Sequence, residues 1–395
     1  MNKNIKLAVA GAVLALSASA ANAGIIIPAG EWTVDISGNV NSFMSQSTAK
    51  GSASIKGGIA GGGTNNSVNS QGTGLLPNFL SVSGTTRQND LDVTWLISIQ
   101  PGGDVGSAGQ LGTQNNRQAY LTFGDKSWGS VKLGKDLGIF ASDAILNDMT
   151  LLGVGAGAGL GNATYGRIGT GFQYADWKSQ VAYTTPNMNG FQATVALTQA
   201  WNATATSGAN SLTTTNRGSG NPAYEGKASY SFAANDVTGK VWVSAIGQKM
   251  GAGTVASDDP VAYAGDVGAN LNVAGLGLTG YYYNGRGIGT TFQFLDGYST
   301  LGKSRDSDGG YVQATYVLPT KTKAGISWGQ SNLDLASAES NTTLVKRNEM
   351  TTVGLYHPLT KHLNLVGEYS HIQSENQAGA ENKTNSVSLG GILFY

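Results

Sequence analysis

The chain has 395 residues, with 24 Lys plus Arg against 24 Asp plus Glu, and no cysteine. That balance argues against a nucleic-acid binder, which normally carries a basic excess, and the missing cysteine excludes thiolate catalysis and cysteine metal sites. Glycine is abundant at 58 residues, about twice the usual share of roughly 7%, and proline is scarce at 8, so a disulfide-free chain of this size depends on burial or backbone pairing.

In chain order, the first element is a leader. Lys3 and Lys6 precede the apolar run "LAVAGAVLALSA", and "ANA" at Ala21–Ala23 is a small-x-small cleavage site. Residues 1–23 therefore read as a Sec signal peptide and residues 24–395 as one mature domain; a retained anchor is the alternative. The apolar run is shorter than the roughly 20 residues of a spanning helix. Removing Lys3 and Lys6 takes the formal net charge from 0 to −2.

Strands follow. "EWTVDISGNV" places Trp32, Val34, Ile36 and Val40 on one side and Thr33, Asp35, Ser37 and Asn39 on the other. "LDVTWLISI" separates Leu91, Val93, Trp95, Ile97 and Ile99 from Asp92, Thr94 and Ser98. "GFQATVALTQAW" separates Phe191, Ala193, Val195 and Leu197 from Gln192, Thr194 and Thr198, and "YVQATYVL" and "AGISWGQ" continue the habit. Period two marks half-exposed strands, because successive side chains point to opposite faces. Short connections ("TTRQND", "TPNMNG", "HPLTK") alternate with long Gly/Ser/Thr/Asn-rich ones at 46–74, 136–170, 202–222, 285–308 and 332–347, and no helix pattern stands out after the leader.

Such strands fit a soluble β-sandwich or a transmembrane antiparallel barrel with its apolar face to lipid. Size favours the barrel: an outer-membrane strand needs about 9–11 residues to cross, and sixteen strands leave roughly 23 residues each, loops included. Aromatic residues near strand ends suit interfacial girdles: Trp32, Trp128, Trp177, Trp201, Tyr281 to Tyr283 and Tyr395. The ending "GGILFY" alternates Val387, Leu389, Leu393 and Tyr395 with Ser386, Ser388 and Gly390. It reads as the closing strand, pairing with the first so that no edge meets lipid.

"NRQAYLTFGDKSWGSVKLGKDLGIFASDAILNDMTLLG" at 116–153 resembles the fourth and fifth strands and the start of the third loop of Gram-negative trimeric porins. The resemblance implies an all-β, sixteen-stranded outer-membrane barrel exported by the Sec pathway, a homotrimer in lipid and lipopolysaccharide. Its third loop would fold inward and narrow the pore to an eyelet, where loop acids face a basic wall. On that resemblance Arg117, Lys132, Lys135 and Arg167 are the basic wall, Asp143 and Asp148 the acidic loop, and Phe394 with Tyr395 the assembly signal. Lys132 also has a physical argument. It alternates with Val131 and Leu133, and a basic residue at the lipid midplane costs about 2–4 kcal/mol, so it should face the lumen. Arg117 shares the parity of Ala119 and Leu121, so periodicity does not assign its face. Lys135 also fits an interfacial position. The sequence departs from the enterobacterial pattern where "LLGVGAG" replaces "PEFGG", and "LLPNFLSVSG" has Asn78 and Phe79 where an arginine is usual. A less charged eyelet with weak selectivity is expected.

Other motifs are thin. His357, His362 and His371 lack convergent zinc spacing. "RDSDGG" offers Asp306 and Asp308 to a divalent ion but lacks the later ligands of a calcium loop. "GVGAGAGLG" lacks the Lys-Ser/Thr of a phosphate loop. No nucleophile with an oriented base stands out, so no enzyme and no cofactor is expected. The expected function is passive diffusion of small hydrophilic solutes and ions. The alternative is a substrate-specific channel or surface-binding barrel, for which Tyr281 to Tyr283 and Phe292 to Phe294 are the nearest aromatic track.

Overall fold

The structure, a computed structural model, describes residues 24–63, 66–102, 114–157, 163–201, 221–250, 261–299 and 302–395. The leader at 1–23 and most of the long connection at 202–222 lie outside the described residues.

Eighteen strand segments form a single antiparallel sheet closed on itself. The closure turns on the long strand β2, Trp32–Lys50. Along one edge it pairs first with β1 (Ile25–Ala29) and then with β18 (Glu381–Phe394). Along its other edge it pairs with β4 (Phe79–Gln88) and then with β3 (Asn66–Gly72). Each of these pairs therefore makes one interrupted stave, and eighteen segments give a sixteen-stave barrel, as the sequence predicts. The other staves follow in chain order: β5 (Leu91–Pro101), β6 (Gln114–Asp125), β7 (Gly129–Leu137), β8 (Trp177–Thr184), β9 (Phe191–Thr198), β10 (Ala223–Ala234), β11 (Val237–Lys249), β12 (Val261–Val273), β13 (Leu276–Arg286), β14 (Asp306–Val317), β15 (Lys323–Leu333), β16 (Val345–Pro358) and β17 (Leu363–Asn376). Closure satisfies the backbone in hydrocarbon, where an unpaired amide costs several kcal/mol.

The two faces differ as period two requires. Val40, Ile97, Leu121, Val195, Val243, Val267, Val312, Leu355 and Leu389 are exposed on the outside. Their neighbours Asn39, Ser98, Thr194, Ser244, Asp266 and Ser388 are buried on the inside. Charge-poor outer rows and polar inner rows are what a barrel in lipid with a hydrated interior needs. The aromatic girdle is thinner than expected. Trp128 and Tyr282 are exposed, but Tyr281 and Tyr283 turn inward and are buried, because alternation splits the Tyr triplet.

The interior is partly filled by connections that fold back. Residues 54–63 bond to the inner wall through Ile59, Ala60 and Gly61, whose amides donate to Ser374 and Thr384 side chains. Residues 287–305 bury Ile288, Phe294 and Tyr298 against Phe140 and Ile246. The largest of these connections, 138–176, carries the only α-helix among the described residues, α1 at Ser142–Asn147. At six residues it is too short to leave a periodic signature in the sequence.

The C-terminus is a seam. Gly38 N–H donates to the Tyr395 carbonyl at 2.8 Å and Tyr395 N–H returns to the Gly38 carbonyl at 3.1 Å. The Tyr395 hydroxyl reaches the Phe79 carbonyl at 3.2 Å, and Phe394 packs with Leu75, Phe79 and Ile392. Deleting Tyr395 removes this reciprocal pair, each bond contributing about 0.5–1.5 kcal/mol. The expected result is a lower yield of heat-modifiable barrel, with little change in the conductance of molecules that do assemble. Full assembly of the truncated chain would show that neither seam nor signal depends on this residue.

Candidate functional site

The described parts of the segment 138–176, residues 138–157 and 163–176, lie inside the barrel and are tied down by carboxylates on the inner wall. Glu225 on β10 accepts from the Ile139 and Phe140 amides at 2.7 and 2.8 Å through Oε2. Its Oε1 accepts from Lys178 Nζ at 2.6 Å and Thr198 Oγ1 at 2.9 Å. Asp266 on β12 accepts from the Ala141 amide at 3.2 Å and the Tyr281 hydroxyl at 3.0 Å. Tyr311 on β14 donates to the Ala144 carbonyl at 2.8 Å, and Gln313 brackets the end of α1 by accepting from Met149 N and donating to Asn147 O. Glu368 on β17 then accepts from the Val154 and Gly155 amides, both at 2.8 Å, and from the Tyr356 hydroxyl at 2.6 Å.

The Gly-rich run has a role here. A Cβ at Gly153 would lie 2.1 Å from Glu368 Oε1, and Gly155 sits at φ +57, pressed against Gly166. "GVG" thus lets the chain come close enough for one carboxylate to take two successive amides. The run that stands in place of "PEFGG" is thus an anchoring point.

Asp143 is where this segment meets basic groups of the wall. Its carboxylate pairs with Lys227 on β10 at 3.1 Å and with Lys240 on β11. Lys227 also donates to Ser142 Oγ at 3.2 Å. Burial pushes the Asp143 carboxyl up, and the two lysine charges more than offset it, leaving it below its usual range. Neither lysine was expected from the sequence. The signal was present, since Lys227 alternates with Gly226 and Ala228 and Lys240 with Gly239 and Val241, the same parity rule that assigned Lys132.

Lys132 shares the inner face with Asp136, pairs with it, and lies 4.6 Å from the Tyr120 ring centroid. Asp136 also accepts from Gln118 Nε2 at 3.0 Å. Lys135 does not join the wall. It shares the face of the exposed Leu133, is paired with Ala119 and Ser179, and donates to the Asn116 carbonyl at 2.8 Å. Regular pairing through this stretch keeps it on the side opposite Lys132, whereas the resemblance implies a place on the basic wall.

Arg117 sits at an irregularity. Ser98 pairs with Gln118 but Gln100 with Asn115, so Asn116 and Arg117 together oppose Ile99 in a β-bulge. The guanidinium lies 5.7 Å from the Trp177 ring centroid, beside an apolar cleft bordered by Leu75, Phe79, Ile145 and Tyr174. Cation–π contact and the bulge explain why parity could not place it.

Asp148 and Arg167 are brought together, but with each other. Arg167 Nε lies 3.8 Å from Asp148 Oδ1, both side chains fully buried. Asp148 caps a short 3-10 turn, Met149–Leu152, accepting from Thr150 N at 3.1 Å and from Thr150 Oγ1. Arg167 donates to the Met350 carbonyl on β16 at 3.0 Å and stands 5.9 Å from the Tyr311 ring centroid. Burial leaves the Asp148 carboxyl raised and the Arg167 guanidinium lowered, each only partly offset by the other's charge. The resemblance implies Arg167 on a basic wall with Asp148 facing it across a pore; here the two buried groups face each other. They form an internal strut of the segment.

Among the described residues no group of three or more His, Asp or Glu converges to hold a metal. Asp306 instead lies 3.6 Å from Arg286, and Asp308 accepts from Asn332 at 3.3 Å. His357 and His371 bond singly to Thr322 and Asn385.

The comparisons agree with the closed barrel. The structure is similar to the outer-membrane channel DcaP of Acinetobacter baumannii, with a TM-score of 0.69 at 18% identity, covering 94% of this chain and 100% of that one. It is also similar to OmpF of Salmonella typhi, solved with daunomycin, with a TM-score of 0.61 at 14% identity over 94% and 100% of the two chains. A trimer form of OmpT from Vibrio cholerae gives 0.57 at 13% identity over 92% and 99%. No curated protein matches the sequence. The profile of the Gram-negative porins matches residues 9–377, and with the sixteen-stave barrel this makes the chain a member of the Gram-negative porin family, a protein of the bacterial outer membrane.

Proposed function

We propose that the chain is a passive channel for small hydrophilic solutes and ions. Its narrow section would lie where segment 138–176 faces the wall lysines. The observation that carries this reading is the Asp143–Lys227–Lys240 cluster, opposed charges held inside a barrel whose inner rows are polar. A polar wall replaces part of a solute's hydration shell, and fixed charges at the narrow section tune which ions pass, with no chemical reaction involved. At 0.15 M salt the screening length is about 8 Å, so charges far from that section contribute little.

A sugar-specific track has less support. Of its nearest aromatic candidates, Tyr281, Tyr283 and Phe294 are buried, Tyr282 is exposed on the outer face, and half-buried Phe292 packs against Tyr165 and Tyr174, so they form no continuous track for a passing solute. Export with cleavage after Ala23 and a homotrimer embedded in lipid and lipopolysaccharide belong to the proposal. Family membership and the trimer form of the Vibrio cholerae protein support the trimer.

The test is reconstitution of the full barrel into planar bilayers. Stepwise, ohmic conductance in potassium chloride is expected, without block by micromolar sugars. A folded preparation that opens no channels would overturn the reading, and block by one sugar would favour the substrate-specific alternative.

A further inference from the structure

The charged groups on the inner wall are buried unequally. The side chains of Lys132, Lys227 and Lys240 are 24, 23 and 32% exposed. Their partners Asp136 and Asp143 are only 3 and 5% exposed. A solute moving along the wall meets the ammonium groups first, with the carboxylates behind them. Among the described residues, the inner-wall carboxylates Glu225, Asp266 and Glu368 are spent on anchoring the segment: they are buried, and each accepts backbone amides. Lys323 lies on the inner face at the turn end of β15, paired with Val317 and 5.2 Å from the Tyr356 ring centroid, and belongs with the other turn-end charges. Asp35 and Asp92 lie toward the turn end of the barrel, where Asp92 is paired with Arg87 at 2.8 Å.

We propose that the channel prefers small anions, inorganic or carboxylate, and that Lys227 and Lys240 with Lys132 set that preference. The proposal rests on the chain being an open channel and adds the sign and the residues. Asp143 acts as the positioning partner that holds the Lys227 and Lys240 ammonium groups at the inner face of α1. Two ammonium groups face this one carboxylate and are the more exposed partners, so the local potential at the solvent boundary is positive. Low-dielectric walls focus that potential into the narrow section, raising the local anion concentration.

Reversal potentials of the full barrel under a potassium chloride gradient test this, with potassium acetate as a second salt. The chloride-to-potassium permeability ratio is expected above unity, and acetate should follow chloride in order of mobility. Lys227→Gln with Lys240→Gln should lower the ratio by at least about twofold, and Asp143→Asn should raise it. Because the lysine double variant leaves Asp143 unpaired, the triple variant with Asp143→Asn is the control for a displaced helix. Its ratio should fall below that of the unsubstituted chain while single-channel conductance stays close to it. A cation preference in the unsubstituted barrel overturns this inference and leaves the channel reading standing. An anion preference indifferent to all three variants also overturns it. Absence of any conductance overturns the channel reading itself.

Discussion

Glu225→Ala is expected to destabilise the folded barrel by about 3–5 kcal/mol, because it strips a fully buried ammonium of its carboxylate. Lys178 is 0% exposed at its side chain and has Glu225 Oε1 at 2.6 Å; the side-chain Oε1 of Gln293 at 2.5 Å would then be its remaining partner. The same substitution orphans the Ile139 and Phe140 amides, and a buried donor without an acceptor costs about 1–3 kcal/mol. Two readouts separate these effects. The midpoint of urea unfolding should fall because of Lys178. Single-channel recordings should become noisier or larger because the first anchor of segment 138–176 is lost. Glu225→Gln keeps the shape and one acceptor oxygen but removes the charge, so it should lie between the two in stability. Pairing Glu225→Ala with Lys178→Met should recover much of the stability without quieting the channel, since the amides stay unpaired. An unchanged unfolding midpoint in Glu225→Ala would mean that Lys178 is not paired as described.

These anchors explain which parts of the molecule the sequence discloses. The barrel is legible because its rule is local. Val195 and Leu197 against Thr194 and Thr198, or Val387 and Leu389 against Ser386 and Ser388, declare two faces within a few residues. The same rule places Lys132 inward, and applied to "AYEGKASY" it places Glu225 and Lys227 inward too. It also puts Lys135 with Leu133, against what the family likeness implied. What the rule does not carry is the purpose of an inward charge. Lys227 and Glu225 are two residues apart on one strand. The first holds a helix carboxylate and the second holds two loop amides, and only the path of residues 138–176 decides which. Asp143 was recognisable as a loop acid, but its partners lie 84 and 97 residues away in sequence. The Arg117 bulge is another such case, since one extra residue in β6 breaks the parity count that would have assigned it.

Arg167→Ala should be the second most costly change, again about 3–5 kcal/mol, and its effect should fall on the segment more than on the barrel. The guanidinium is fully buried, with Asp148 at 3.8 Å and the Met350 carbonyl at 3.0 Å. Removing it leaves the Asp148 carboxylate uncompensated, although two Thr150 donors remain. Part of that loss can be avoided by protonation, because burial already pushes the Asp148 carboxyl upward. Sign and window follow from that direction. A carboxyl raised above its unfolded value of about 3.9 binds its proton more tightly when folded, so the variant should gain stability as the medium is acidified toward the raised value. The variant's deficit relative to the unsubstituted chain should therefore be largest at neutral pH and shrink on acidification. Asp148→Asn in the Arg167→Ala background should reduce the pH dependence, leaving only the part carried by the nearby buried Glu368, whose charge also bears on Arg167. The selectivity ratio should change little in the same variants, since neither group reaches the lumen. A large shift of reversal potential with unchanged stability would instead return Arg167 to the pore wall, where the family likeness had put it.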